Sequence, residues 1–374
     1  MRMNDVIGLL DCHTSPELGE LTSARPLAST SFLGRYAFCD FALSNFCNSE
    51  VPTVGILVRD HERSMMKHLG DMGSWVTNTK TDSETILYNE KGALNPAYNT
   101  DINNIRENDW VLYDSQASYL VFAPAHMVLS IDLRPIIEEH IARNEAITVV
   151  YKKAASADRE FLSEDVLEIG DDGYLVSAKK NDGTQKKADV SLSIWVVTRT
   201  VLAEMIRRHA EVDASYGMRE MIAWVAKKGI FKVHTHEYKG FVRCFDSLKH
   251  YVDYSFELLD QAKLRSLFLD DWPIYTQTHD TPPALFGTRG SAENSFIANG
   301  CVIEGSVRDS IVSRNVRIGK GAKVERSIVF SGVAIGEGAS ISDVVLDKYS
   351  VVTRKHAIAG DPENVIYMKQ GAIL

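Results

Sequence analysis

Residues 21–48 read LTSARPLASTSFLGRYAFCDFALSNFCN. They lie between two short apolar runs, residues 6–10 (VIGLL) and 54–58 (VGILV). Short apolar runs bounded by polar chain read as buried parallel strands. The segment between them is then a strand-to-helix connection, with a helix opening near Asp40 and running through 41–47. In an open α/β sheet such connections gather at the carboxyl ends of the strands, where ligands bind. A nucleotide is therefore expected against this stretch.

Outward from it, residues 119–123, 146–151 and 194–197 are further short β-rich runs. Residues 133–144 and 200–209 carry helical patterns, and 63–69 reads as a short helix stopped by Gly70. Strands alternating with helices predict a mostly parallel sheet with helices on both faces. We assign this α/β domain to residues 1–255. Residues 80–104 are polar and irregular, and read as a hairpin excursion or mobile loop. The texture changes near Asn294. The segments 318–324 (IGKGAKV) and 335–341 (IGEGASI) are copies of one unit, with aliphatic residues six apart, and 297–305 is a looser copy. This is the hexapeptide pattern of a left-handed parallel β-helix, here residues 291–374. Residues 256–290, with the extended Thr281-Pro282-Pro283, form the linker.

The chain has 374 residues, enough for more than one domain, and a formal charge of −9, which argues against a nucleic-acid surface. Its five cysteines (Cys12, Cys39, Cys47, Cys244, Cys301) form no C-x-x-C pair, as expected of reduced thiols in the cytoplasm. The first apolar run is too short for a signal peptide or a membrane span.

The run from Arg35 through Tyr36, Ala37, Phe38, Cys39, Asp40, Phe41, Ala42, Leu43 and Ser44 to Asn45 resembles the G-G-K-Y-R-I-I-D-F-x-L-S-N segment of bacterial ADP-glucose pyrophosphorylases (glucose-1-phosphate adenylyltransferases). Those enzymes make ADP-glucose from ATP and glucose 1-phosphate. Residues 294–305 (NSFIANGCVIEG) resemble the N-S-x-x-x-x-G-C-x-I-x-G of the same family, so the likeness covers both ends of the chain. It implies a Rossmann-like nucleotidyltransferase domain ahead of the β-helix.

Placed on that family, the chain departs from it where chemistry is expected. The glycine-rich phosphate loop falls on residues 12–18 (CHTSPEL), with no glycine left and Glu17 in place of an arginine. Proline removes an N–H donor there and an acid repels phosphate. The lysine of R-A-K-P-A becomes Leu27, while its arginine is Arg25. The first metal-binding aspartate becomes Ala125 or His126, depending on the alignment anchor, and the second becomes Cys244, with Asp246 two residues on. Hard magnesium prefers oxygen ligands, so His126 reads as structural and no metal is expected on this chain. On the sugar side, Lys179 is a remnant beside Ala178, and a second lysine is lost or shifted to Arg219. Arg25 and Arg35 remain as a candidate anion or effector site.

The losses fall on charged and loop positions, while the packing residues Asp40, Phe41, Leu43, Ser44 and Asn45 are kept. By resemblance this pattern fits the regulatory, GlgD-type subunit of the family. It implies a largely non-catalytic chain that forms a hetero-tetramer with the catalytic subunit, or a homo-tetramer alone. Magnesium would sit in the catalytic partner, and phosphate or a sugar phosphate would be the effector. The alternatives are an active nucleotidyltransferase with a rearranged site, and an acyltransferase built on the β-helix. The last has only His356 as a histidine in that region.

Overall fold

A computed structural model of the chain describes residues 3–76, 83–113 and 117–374. Among these, nine strands form one mixed sheet. Its main path runs Leu175–Lys180, Asp165–Ile169, Ala188–Thr198, Tyr119–Pro124, Val6–Asp11, Thr53–Val58, Ser83–Tyr88. The half around Val6–Asp11 is parallel, as expected. Beyond Tyr119–Pro124 the direction reverses, because Ala188–Thr198 runs antiparallel to both Tyr119–Pro124 and Ile147–Ala154. The chain returns to the sheet there through the antiparallel pair Asp165–Ile169 and Leu175–Lys180, not through a helical crossover.

Successive residues of a strand point to opposite faces, so Val6 and Leu10 enter one apolar cluster and Ile7 and Leu9 the other. Helix Cys39–Asn48 lies against the first face. A Cβ on Gly8 would fall 2.8 Å from the Phe46 ring, so only glycine admits the helix at this depth. Residues 39–47 are all buried, which is unusual for a helix carrying Asp40, Ser44 and Asn45. Each polar group has a partner. Asp40 accepts from the Ala37 amide, and its other oxygen lies 2.6 Å from His68 Nε2. Asn45 donates to the Leu129 carbonyl and accepts from the Ile131 amide and the Trp272 indole. Ser44 accepts from the Tyr275 amide. The polar residues of this segment therefore pin both the segment 129–131 and the tether to the second domain.

Residues 83–104 are ordered structure, contrary to the expected hairpin or loop; 80–82 lie outside the described residues. Ser83–Tyr88 is a parallel edge strand, followed by short helices at Glu90–Leu94, Pro96–Tyr98 and Asp101–Glu107. The polar residues that read as loop are helix caps. Asn89, Asn95 and Thr100 accept from the amides of Gly92, Ala97 and Asn103.

The β-helix begins at Leu285–Phe286, six residues before the expected start. Three parallel sheets of five short strands form its sides. The inward ladder includes Ile318, Val324, Val329, Ile335, Ile341, Leu346 and Val352. Its spacing is six, five, six, so the hexapeptide repeat is one residue short on one side. The reason lies at the corner after the second strand. Asp309, Arg326 and Asp343 stand there in the left-handed region (φ 46, 42 and 52), which turns the chain tightly. Buried serine hydroxyls then satisfy amides of the next coil: Ser310 accepts from Ser327 N, and Ser327 from Val344 N.

The two domains share one apolar cluster. Phe32, Phe38, Phe41, Phe245 and Tyr251 from the first meet Ile311, Ile328 and Phe330 of the second. Gly34 (φ 73) brings the turn so close that a Cβ would sit 2.9 Å from the Val312 carbonyl oxygen. Inside this cluster Arg25, 2% exposed, holds Asp347 bidentately at 2.8 and 2.7 Å, with Gln370 at 3.1 Å. No helix among the described residues is long and apolar enough to cross a membrane.

Two outcomes are expected. Removing one member of a buried ion pair strands the other charge, so Arg25→Ala should cost about 3–5 kcal/mol in urea unfolding. The double variant Arg25→Met/Asp347→Leu should recover most of that loss; an Arg25→Ala loss below about 0.5 kcal/mol would show the pair is not structural. The second outcome concerns His140, fully buried on helix Arg134–Ala142 between the Thr148 and Thr198 hydroxyls. Burial, and then His234, lower its pKa to about 4. The unfolded chain binds a proton near pH 6.5 that the folded chain refuses until about pH 4. Stability should therefore fall as pH drops from 6.5 to 4, by on the order of 3 kcal/mol for this group. His140→Gln should flatten that slope; an unchanged slope would assign it to other groups.

Candidate functional site

The cleft at the carboxyl ends of Val6–Asp11 and Thr53–Val58 is a cavity of about 280 Å³. Cys12, Ser15, Pro16, Glu17, Leu27 and Arg59 are among the residues lining it. Asp11 organises the loop by accepting from the His13 amide and the Thr14 hydroxyl. Glu17 is exposed and pairs with Arg59 at 3.4 Å, and Asp60 lies 3.8 Å from the same guanidinium. Arg59 thus faces two carboxylates. A triphosphate entering here would meet net negative charge. Leu27 is 1% exposed and belongs to the interdomain apolar cluster, so no cation projects from that position.

Deeper in the domain, the tight turn Ala125-His126 and the strand Val242–Cys244 come together. The strands Met127–Leu129 and Val242–Cys244 pair antiparallel, and the Phe245 amide donates to the His126 carbonyl. Ala125 packs in the core, and His126 is the residue that faces Cys244. Both are fully buried, and between them stands Glu164, which the sequence reading missed. His126 Nε2 lies 2.7 Å from Glu164 Oε1, and Ser193 Oγ donates to Glu164 Oε2 at 2.5 Å. Burial opposes the Glu164 charge, but His126, Arg219 and Ser193 together bring its pKa down to about 2. Burial, then Glu164 and Asp246, push the Cys244 thiol well up.

Asp246 does not stand in for the lost carboxylate. It accepts from the amides of Leu162 and Ser163 and from the His250 ring. Arg219 is likewise engaged, donating to the Ser163 carbonyl and to Asp165. The donor set at this place is nitrogen, sulfur and a single carboxylate already paired with an imidazole. Magnesium demands near-octahedral oxygen ligands, and these residues do not fit it.

The remaining expected residues lie apart. Lys179 is exposed on Leu175–Lys180, beside a cavity of about 340 Å³ shared with Glu168, Asn181 and Asp182. Arg25 is committed to Asp347, so the expected Arg25–Arg35 anion site does not form as a pair. The acid that takes Arg25 is 322 residues away, beyond the reach of local reading. Arg35 is exposed, lies over the Tyr36 ring at 5.7 Å, and lines an interdomain cavity of about 420 Å³. Across that cavity stand Arg314 of the β-helix and His279 of the tether. Burial, then the charge of Arg35, lower the Arg314 pKa, and burial, then Arg314, lower that of His279. Nothing in the sequence signals that these three meet. His356 is exposed on the β-helix.

Residues 282–366 match the GlmU-like, C-terminal hexapeptide family. Among the relatives similar over most of the chain are two glycogen biosynthesis proteins GlgD. That of Bacillus subtilis (strain 168) is 30% identical over 375 residues, covering 99% of this chain and 97% of the relative. That of Geobacillus stearothermophilus is 29% identical, covering 86% and 83%. The glucose-1-phosphate adenylyltransferase of Thermosipho africanus (strain TCF52B) is 25% identical, covering 82% and 74%. The chain belongs to the GlgD family of proteins related to ADP-glucose pyrophosphorylase.

Proposed function

We propose that this chain is a regulatory, largely non-catalytic subunit of glucose-1-phosphate adenylyltransferase, acting in the cytoplasm on ADP-glucose synthesis for glycogen. It works in a hetero-tetramer whose catalytic subunit binds magnesium and ATP. The observation that carries this reading is the fully buried His126–Glu164–Cys244 cluster, which fills the place where a magnesium-dependent site needs open carboxylates. The acidic pairing around Arg59 points the same way. Regulation has a physical seat in the interdomain cavity. Arg35 and Arg314 repel each other there, and an anion such as phosphate or a sugar phosphate would relieve that repulsion through bidentate hydrogen bonds.

Two measurements test this. ADP-glucose synthesis is assayed for this chain alone, the catalytic subunit alone and the mixture. The chain alone should fall at least on the order of a hundredfold below the catalytic subunit, and the mixture should differ from the catalytic subunit in rate or effector response. Cys244→Asp alone should restore nothing, since several preorganised charges are missing together. Robust magnesium-dependent synthesis by the chain alone would favour the rearranged active site instead. The second measurement is the response of the mixed enzyme to orthophosphate and to a hexose phosphate. Arg35→Ala/Arg314→Ala should raise the half-saturating effector concentration on the order of tenfold or more with the subunits still assembled. An unchanged response removes this cavity from regulation.

A further inference from the structure

Three side chains with metal-binding atoms converge inside the α/β domain from three separate segments. His126 comes from the turn before Met127–Leu129, Glu164 immediately precedes the strand Asp165–Ile169, and Cys244 ends the strand Val242–Cys244. One ligand atom of each lies within 4.8 Å of the other two, and all three residues are buried. Ser163 closes a fourth side, its Oγ 3.0 Å from Glu164 Oε1 and 3.4 Å from Cys244 Sγ.

The protein-only arrangement leaves His126 incompletely satisfied. Its Nε2 meets Glu164, but its Nδ1 is buried without a hydrogen-bond partner among the described residues. An ion held among the three groups would take Nε2, the nitrogen that faces Glu164, with Nδ1 carrying the ring proton. The donor types select the ion. Imidazole nitrogen, thiolate sulfur and carboxylate oxygen suit a borderline-soft divalent ion and not a hard one. The charge also balances, because one thiolate and one carboxylate neutralise a divalent cation, so the filled site buries no net charge. The outer partners are in place: Ser193 holds the far oxygen of Glu164, and Arg219 ties the Ser163 carbonyl.

We propose that His126, Glu164 and Cys244, with Ser163 on the fourth side, form a buried structural zinc site. The site is closed to solvent, so it takes its ion as the domain folds and stabilises the folded chain. It cross-links the turn at 125–126, the segment at 161–164 and the strand Val242–Cys244, the last of which lies outside the mixed sheet. This inference goes beyond the regulatory reading and does not depend on it.

The test uses the full-length chain produced with zinc in the medium and dialysed against a weak chelator. Elemental analysis should find about one zinc per chain. Unfolding in strong chelator and refolding with cobalt(II) should give a near-ultraviolet thiolate-to-cobalt charge-transfer band. Cys244→Ser should lose that band and the bound zinc, whereas Cys301→Ser, on the β-helix, should keep both. The wild-type cobalt spectrum decides the question even where Cys244→Ser folds poorly. Substoichiometric zinc in the wild type together with no thiolate band would overturn the proposal, as would a band that survives Cys244→Ser. Neither result touches the assay of ADP-glucose synthesis, so the two readings fail separately.

Discussion

The structure depends on the contact between the turn at residues 25–41 and the side of the β-helix. It is an aromatic cluster with a buried ion pair inside it. Phe32, Phe38 and Phe245 pack with ring centroids 4.7 to 5.2 Å apart, and Phe38 and Phe330 lie on either side of Tyr251. Such pairs add about 0.5–1.5 kcal/mol each beyond the area they bury. Arg25 and Asp347 supply direction. A bidentate pair holds only in one orientation, so it sets how the β-helix sits on the first domain. Tyr367 donates its hydroxyl to Asp347 as well, which extends the tie to the last coil.

That contact links the interdomain cavity to the buried polar cluster. Phe245 belongs to the aromatic cluster and follows Cys244 directly, so the buried polar cluster is anchored to the same junction. The turn that carries Gly34 also carries Arg35, which it holds at the mouth of the interdomain cavity opposite Arg314. A ligand between these arginines would press on the junction, and through Phe38 and Phe245 on the strand Val242–Cys244. Packed cores shift between discrete arrangements and do not deform smoothly, so a small displacement at the cavity is transmitted as a repacking. Under the proposed regulatory function, this is the physical route by which the chain would act on a neighbouring subunit.

Much of the architecture was legible in the sequence because it repeats. Alternating strands and helices announce an α/β sheet, and the copies at 318–324 and 335–341 announce stacked coils. The residue types of the loop at 12–18, without glycine and with Pro16 and Glu17, were legible too. Other features were misread for local reasons. Asn89, Asn95 and Thr100 look like loop residues, and their capping role appears only once the helices they start are seen. The short side of each coil escaped notice because an αL corner at Asp309, Arg326 or Asp343 leaves no distinct sequence mark on non-glycine residues.

By itself, then, the sequence determined which residue types stand at the expected nucleotide cleft and which two architectures the protein joins. Both follow from residue types at short, regular spacings. The tertiary structure decided who meets whom. It gave Arg25 to Asp347 instead of to a ligand, left Arg35 facing Arg314, and brought Glu164 between His126 and Cys244. These pairings join segments tens to hundreds of residues apart. Charge and burial at such points depend on the partner across the fold, and no local pattern names that partner.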